Sequence, residues 1–528
     1  MKNKKQSASV KSEILCSTPS VGIVGWNLPK FMAQHEAFLA EIKNGIQSAG
    51  GESVFYGISG SADVLPGFSD NGYLGTHSEL IGKAAHSNVK SNYWLPSRDM
   101  VADQIEVLVH QENPAALVFV PWSVSSLVGM MMATARTGVP AIFLPHYRAW
   151  PILSNLEAQS VAYRHCSILL LLEIFGLTKM GALETIFSSD NKKTAQAFAL
   201  SQSSEMELAS WGGKRIVEMA RQNISSKRFF SPAAFSNALS VDMALGNSAE
   251  TILHLRALAA ESGVPFTPAI INEMCKRIPQ LVPMDSYGEY MMKNFQNGGG
   301  ILPILGALHS HLQASPTVMG RNLIEFARDA AGAKSALKIA KPLRGHGGLA
   351  ILYGNLAQEG AVFRMAGVKE SWLSASGPAK VFNSESECVA AILGKKVKKG
   401  DVIVLRYLGP KGSPGMPSID AVPRALEERG LTDQVALVTD GRMNASGKTP
   451  AFVHVTPEAA MGSTFSILQD GDIIFWNFNE RALTARLTDT DIKVRLSRWR
   501  EQEKHMHNSF LFRYSKYTSS SSSGATLV

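Results

Sequence analysis

The chain has 528 residues, 45% hydrophobic and 18% charged, which gives room for two or three domains with their own cores. A disulfide-stapled peptide scaffold and a disordered chain are both excluded. Its 52 Lys and Arg exceed its 44 Asp and Glu by only eight, and they are scattered apart from residues 1–5 and 395–399, so no nucleic-acid-binding stripe is expected and an acidic small molecule suits the balance.

The stretch VGIV at 21–24 reads as a short buried strand, and periodic residues 31–49 read as a helix stopped by Gly50-Gly51. The pattern repeats with a helix at 99–110, a strand at 116–120 (ALVFV), a helix at 126–137 and a strand at 141–144. Strands alternating with helices predict a parallel sheet covered by helices. Residues 155–340 read as mostly helical, most clearly at 206–222, 249–262, 268–277 and 322–333. After Gly347 the texture changes to short β-branched runs such as LAILYGN, GAVFRMAGV, DVIVLRYLG and GDIIFWNF, separated by Gly, Pro or Asp.

The fold class is therefore α/β, an N-terminal parallel-sheet domain followed by a β-rich domain. The division read from the sequence is a flexible tail at 1–18, an α/β domain at 19–345, a β-rich domain at 346–512 and a disordered serine-rich tail at 513–528. No apolar run reaches the roughly 18 residues of a membrane span, and the head of the chain lacks a clean signal sequence, so a cytoplasmic protein with no membrane partner is expected.

Cys16, Cys166, Cys275 and Cys388 stand far apart with no C-x-x-C pair, which points to a reducing compartment and shows no zinc motif. Three glycine-rich elements offer backbone N–H groups to an oxyanion: 298–300, 345–348, and 409–416, in which Lys411 adds a positive charge. None has the spacing of a phosphate-binding P-loop. The loop at 439–448 follows a predicted strand and carries Arg442 and Lys448, which suit an acid substrate. His254, His346 and His454 sit in or beside apolar runs, where a structural role is expected.

Many segments keep the order of a known family. Leu95-Pro96-Ser97-Arg98, Val101-Ala102-Asp103, NALSVDMALG at 237–246, GGLAILYGNL at 347–356, Gly377-Pro378-Ala379, 409–416, Thr439-Asp440-Gly441-Arg442-Met443 and HVTPEA at 454–459 resemble the dihydroxy-acid/6-phosphogluconate dehydratases. The stretch 440–459 looks closer to the sugar-acid branch. The resemblance implies a two-domain fold whose C-terminal part is similar to a swivelling barrel, a cleft between the domains, and a typically dimeric assembly. It also implies a chemistry: elimination of water from a 2,3-dihydroxy acid, with a three-cysteine iron–sulfur cluster, a magnesium ion and a serine base.

Matched position by position, this chain departs from that pattern. The first cluster cysteine falls on Met32, and the Cys-Asp-Lys triplet falls on Ser123, Val124 and Ser125. The third cysteine corresponds to Cys166, the glutamate after G-P-G-M falls on Ser418, a remnant magnesium ligand corresponds to Asp70, and the serine base falls on Asn444. The resemblance thus implies a dehydratase-fold protein that has lost the metal site, with no cofactor of its own. It would bind an acidic small molecule, or act as a non-catalytic subunit in a homodimer or in a heterodimer with a homologue. The alternative is a metal-independent lyase-like enzyme acting on a sugar acid or hydroxy acid in the same cleft. In that reading Ser446 or Cys166 supplies the nucleophile or base, and Lys411, Ser413, Ser418, Arg442 and Lys448 hold the substrate.

Overall fold

The computed structural model describes residues 18–26, 29–59, 92–144, 191–246, 248–281, 302–332, 342–443, 448–501 and 509–528. Strand β1 (Ser20–Trp26), helix α1 (Pro29–Ser48), β2 (Glu52–Ile58), α2 (Trp94–Glu112), β3 (Ala116–Phe119), α3 (Val124–Thr137) and β4 (Ala141–Phe143) build the first unit. Its strands form an all-parallel sheet in the order β2-β1-β3-β4, with Val21 opposite Ala116 and Leu117 opposite Ala141. β1 and β3 are inner strands buried on both faces, which is why they read as unbroken apolar runs and not as alternating ones. Long helix α4 (Asn191–Arg221) crosses α1 where glycines meet. A Cβ at Gly45 would lie 2.1 Å from the carbonyl oxygen of Ser210, and one at Gly213 would lie 2.3 Å from that of Ile42, so the two backbones approach as only glycine permits.

After a 3-10 turn at Ser226–Phe229 come α5 (Pro232–Leu245), α6 (Ala249–Ser262), α7 (Pro268–Arg277), α8 (Leu302–Ala307) and α9 (Leu323–Gly332). The boundaries of α6 and α7 coincide with the periodicity, because their caps are written locally. Ser248 and Thr267 accept from the first-turn N–H groups, and Gly263 closes α6 in the left-handed conformation. Helices α5, α7, α8 and α9 bury their apolar faces in the same core as the strands that follow, joining Leu245, Ile271, Ile304 and Leu323 to Ile351 and Val404. A separate core lies around the parallel sheet.

The second unit comprises β5 (Leu349–Gly354), β6 (Ala357–Arg364), β7 (Ser374–Phe382), α10 (Glu385–Leu393), β8 (Val402–Leu405), α11 (Ala421–Glu428), β9 (Ala436–Thr439), β10 (Ala451–Thr456), β11 (Ile473–Asn477), β12 (Ala482–Ala485) and α12 (Asp489–Arg498). Its eight strands close into a barrel in the order β10-β6-β5-β12-β11-β7-β8-β9. The neighbours β7, β8, β9 and β10 run parallel, so their carboxyl ends share one rim. The α/β reading with a β-rich second unit is what the structure shows.

The tail differs from the expectation. Residues 513–528 are ordered: α13 (Phe510–Tyr517) is followed by a 3-10 turn at Ser521–Ser523 and a bridge pairing Thr518 with Leu527. The serines that resemble a low-complexity run are held from outside. Arg98 on α2 donates to the carbonyls of Gly524 and Ala525 at 3.1 and 2.8 Å, Arg256 on α6 donates to Ser521, and Tyr514 donates to Ala525 at 2.8 Å. Both arginines are buried, and Leu95, Leu253, Met416, Tyr514 and Ala525 form a small core that joins the tail to both units. Composition alone cannot register a tail whose backbone carbonyls are the acceptors. Among the described residues no helix is long and apolar enough to cross a membrane.

Candidate functional site

The parallel rim of the barrel is tied by two carboxylates. Asp440, just beyond β9, accepts from the backbone N–H groups of Tyr407, Leu408 and Ala459 at 2.9–3.1 Å, so it joins the loops after β8, β9 and β10. Burial pushes its carboxyl up to about 6 while those donors pull the other way. Glu458 takes the backbone N–H groups of Lys411 and Gly412 at 2.8–3.1 Å. The glycine loop 409–416 thus does cradle a carboxylate, and it is the protein's own. Sequence reading quoted both acids inside motifs without giving them this role; an Asp directly after a buried strand, beside a Gly turn, is the signal that would have found Asp440.

The rim faces the first unit. Gly415 has φ +86°, and a Cβ there would lie 1.6 Å from the carbonyl oxygen of Asn92, just ahead of α2. Arg442 is buried, stacks over the Trp94 ring with its guanidinium carbon 5.0 Å from the centroid, and forms an ion pair with Glu250 in the first turn of α6. The positive end of the α6 dipole favours a carboxylate at that position. Arg442 also donates from Nε to the Met416 carbonyl, and its own carbonyl accepts from Ile419. Ser418 is buried beside it in a parallel bridge, its hydroxyl donating to Asp420 at 3.0 Å.

His454 lies under this layer, with its backbone N–H on the Gly441 carbonyl. It is 1% exposed with φ +56°, and among the described residues neither ring nitrogen has a partner. Burial first, then Arg256 and Arg442, push its pKa down to about 3, so the ring is neutral at ordinary pH.

The parallel register separates two residues that sequence spacing brings together. Arg442 follows the carboxyl end of β9, whereas Lys448 precedes the amino end of β10, where Leu437 donates to the Pro450 carbonyl. A parallel neighbour must start at the same end as its partner, so the two cations stand about one strand length apart. Lys448 is exposed and helps Lys369 hold the Asp433 carboxyl below its usual range, the hydrogen bond from Lys369 being the larger cause. Lys411 and Ser413 stay on the rim side, both partly exposed in the 409–416 loop.

Ser123, Val124 and Ser125 lie at the carboxyl edge of the parallel sheet, the edge at which open α/β sheets take their ligands. Trp26, ending β1, stacks on Trp122 with centroids 5.6 Å apart. Ser123 is the N-cap of α3, accepting from the Ser126 N–H at 3.0 Å, while the Ser126 hydroxyl accepts from the N–H groups of Trp122 and Ser123 at 3.0 and 2.9 Å. The two serines thus form a reciprocal capping box at the start of α3. Val124 carries no side-chain donor atom, and all three residues are buried.

Cys275 and Cys388 are buried in separate helices, and desolvation pushes both thiols up, that of Cys275 to about 11. Asp70, Cys166, Asn444 and Ser446 lie outside the described residues, as does the side chain of Met32 in α1. Among the described residues, no three His, Cys, Asp or Glu side chains are grouped so that they could hold a metal ion.

Comparison with known proteins matches two family descriptions in series. Residues 28–162 and 190–326 match the dihydroxy-acid/6-phosphogluconate dehydratase N-terminal model, and residues 336–525 match its C-terminal counterpart. Among curated relatives, a protein of Caldanaerobacter subterraneus subsp. tengcongensis is 34% identical over 92% of this chain and 89% of its own length. Proteins of Geobacter sulfurreducens, 31% identical, and Archaeoglobus fulgidus, 32% identical, also match 92% of the chain, covering 89% and 90% of their own lengths. All three are named dihydroxy-acid dehydratase, where the 440–459 stretch had suggested the sugar-acid branch. On these matches the chain belongs to the dihydroxy-acid/6-phosphogluconate dehydratase family.

Proposed function

We propose that this chain is a dehydratase-family protein that works without the iron–sulfur and magnesium chemistry expected of the family. It binds an acidic small molecule of the hydroxy-acid class between the parallel sheet and the barrel rim. The observation that carries this reading is the stretch Ser123-Val124-Ser125. Where the resemblance puts a thiolate, a carboxylate and a modified lysine, the chain has a serine that caps a helix, an aliphatic side chain and a second serine. Iron–sulfur clusters are held by thiolates, and magnesium requires hard oxygen ligands. Ser418 adds to this, its hydroxyl already given to Asp420. These residues do not fit either group.

The buried rim is tied by internal pairs, with Glu250 on Arg442 and Glu458 on the glycine loop. On this reading Lys411, partly exposed in the glycine loop, is the cation that meets a ligand acid from the rim side. The assembly follows the family expectation of a dimer, either of this chain or with a homologue.

The reading is tested by incubating the purified full chain with a 2,3-dihydroxy acid and with 6-phosphogluconate. No 2-oxo acid should form, while a hydroxy acid should raise the melting temperature in a saturable way. Turnover of either substrate at rates ordinary for an enzyme overturns it.

A further inference from the structure

A second candidate site lies away from the barrel rim, in a cavity of about 250 Å³ lined by the end of α4, the 3-10 turn after it and the turn that leads into α9. Three of its lining residues are arginines, Arg215, Arg228 and Arg321, against one acid, Glu325. The guanidiniums are differently engaged. Arg215 spends Nε on the Val318 carbonyl and one terminal nitrogen on Glu218, at 2.7 and 2.8 Å. Arg321 gives Nε to Glu325 and one terminal nitrogen to Asp329. Each of these two therefore keeps one terminal NH₂ group with no hydrogen-bond partner among the described residues.

Arg228 is exposed and lies 5.7 Å over the Phe229 ring, and among the described residues no carboxylate pairs with it. Asn322 uses its oxygen on the N–H groups of Ser315 and Ile324, so its amide nitrogen remains to donate. The wall thus offers four planar N–H groups, three of them cationic, around a volume suited to a small molecule. Guanidinium N–H groups match the terminal oxygens of tetrahedral oxyanions, and several cationic donors around one cavity favour a group with three such oxygens over a planar carboxylate.

We infer that this cavity is an anion site for the phosphoryl group of a small molecule, with Arg228 as its principal cation and Arg215, Arg321 and Asn322 as supporting donors. The site shares no residue with the barrel rim, so the inference stands or falls apart from the function proposed above. Ligand affinity falls as salt rises, because the arginines face solvent.

The test is calorimetric titration of the full chain with inorganic pyrophosphate, with citrate at matched ionic strength as the carboxylate comparison. Pyrophosphate should bind one saturable site per chain, more tightly than citrate. Arg228→Ala should weaken it roughly tenfold or more, the loss expected for a charge-assisted contact. Arg228→Lys should recover part of that loss. Arg498→Ala, which removes an exposed arginine on α12, should leave the affinity unchanged. Arg228 is exposed, so its variants should melt with the parent. Absence of saturable binding, equal affinity for pyrophosphate in the parent and Arg228→Ala, equal losses in Arg228→Ala and Arg498→Ala, or tighter binding of citrate would each overturn the assignment.

Discussion

At the barrel rim, backbone N–H groups beyond the parallel strands β8 and β10 are held by carboxylates, Asp440 and Glu458. At the carboxyl edge of the parallel sheet the equivalent task falls to two hydroxyls, Ser123 and Ser126, which cap α3 between themselves. The charged groups of the rim hold loops together. The sheet edge has only neutral side chains at the positions where the family resemblance places metal ligands. The two regions therefore separate what a scaffold needs from what a metal reaction needs: buried acids with backbone donors serve the fold, and their presence says nothing of catalysis.

If the rim and the tail are structural, damage there should cost far more than damage at the sheet edge. The largest effect is expected from deleting residues 519–528. That deletion takes the acceptors from buried Arg98 and Arg256 at once, three charge-assisted hydrogen bonds worth roughly 1.5–3 kcal/mol each. Urea unfolding should show a loss of several kcal/mol, and an unchanged midpoint would return the tail to a disordered appendage. Next comes Arg442→Ala, which leaves Glu250 buried without its cation at a cost of about 3–5 kcal/mol. The double variant with Glu250→Gln should regain part of that loss, and strict additivity of the two would show that the pair does not couple.

A smaller, pH-dependent effect concerns Glu385, buried at the start of α10, where it accepts from the Ala421 N–H. Burial pushes its carboxyl up to about 8 in the folded chain from 4.5. Its stabilising protonated form is complete below the unfolded value and is lost as pH rises through about 8. Glu385→Gln should match the parent near pH 4.5 and gain on it with rising pH, by up to about 1.4 kcal/mol per pH unit. His454 acts in the opposite sense. Its folded pKa is lowered to about 3 from 6.5, so the stability it contributes at neutral pH is lost as pH falls through that window. The smallest effect is that of Ser123→Ala, which removes one N-cap acceptor at a cost of about 1 kcal/mol. A loss several times larger would mean that Ser123 does more than cap a helix.

Much of this fold is legible in the sequence because the governing interactions are local. The caps of α6 and α7 are written in Ser248, Gly263, Thr267 and Pro268, and the inner strands β1 and β3 in unbroken apolar runs. What is not legible depends on partners distant in sequence. Nothing near Ser521 announces Arg256, some 265 residues earlier, and nothing near Arg442 announces Glu250, 192 residues away. Arg442 and Lys448 look like neighbours until the parallel register of β9 and β10 parts them. The resemblance led to the right family, but the role of Ser123 as half of a capping box required the geometry of Ser126.

The most direct test of the central claim is the iron, sulfide and magnesium content of the full chain purified without oxygen, read with its ultraviolet-visible spectrum. The account predicts a colourless protein without stoichiometric iron, sulfide or magnesium. A brown protein carrying iron and sulfide in cluster stoichiometry would contradict it.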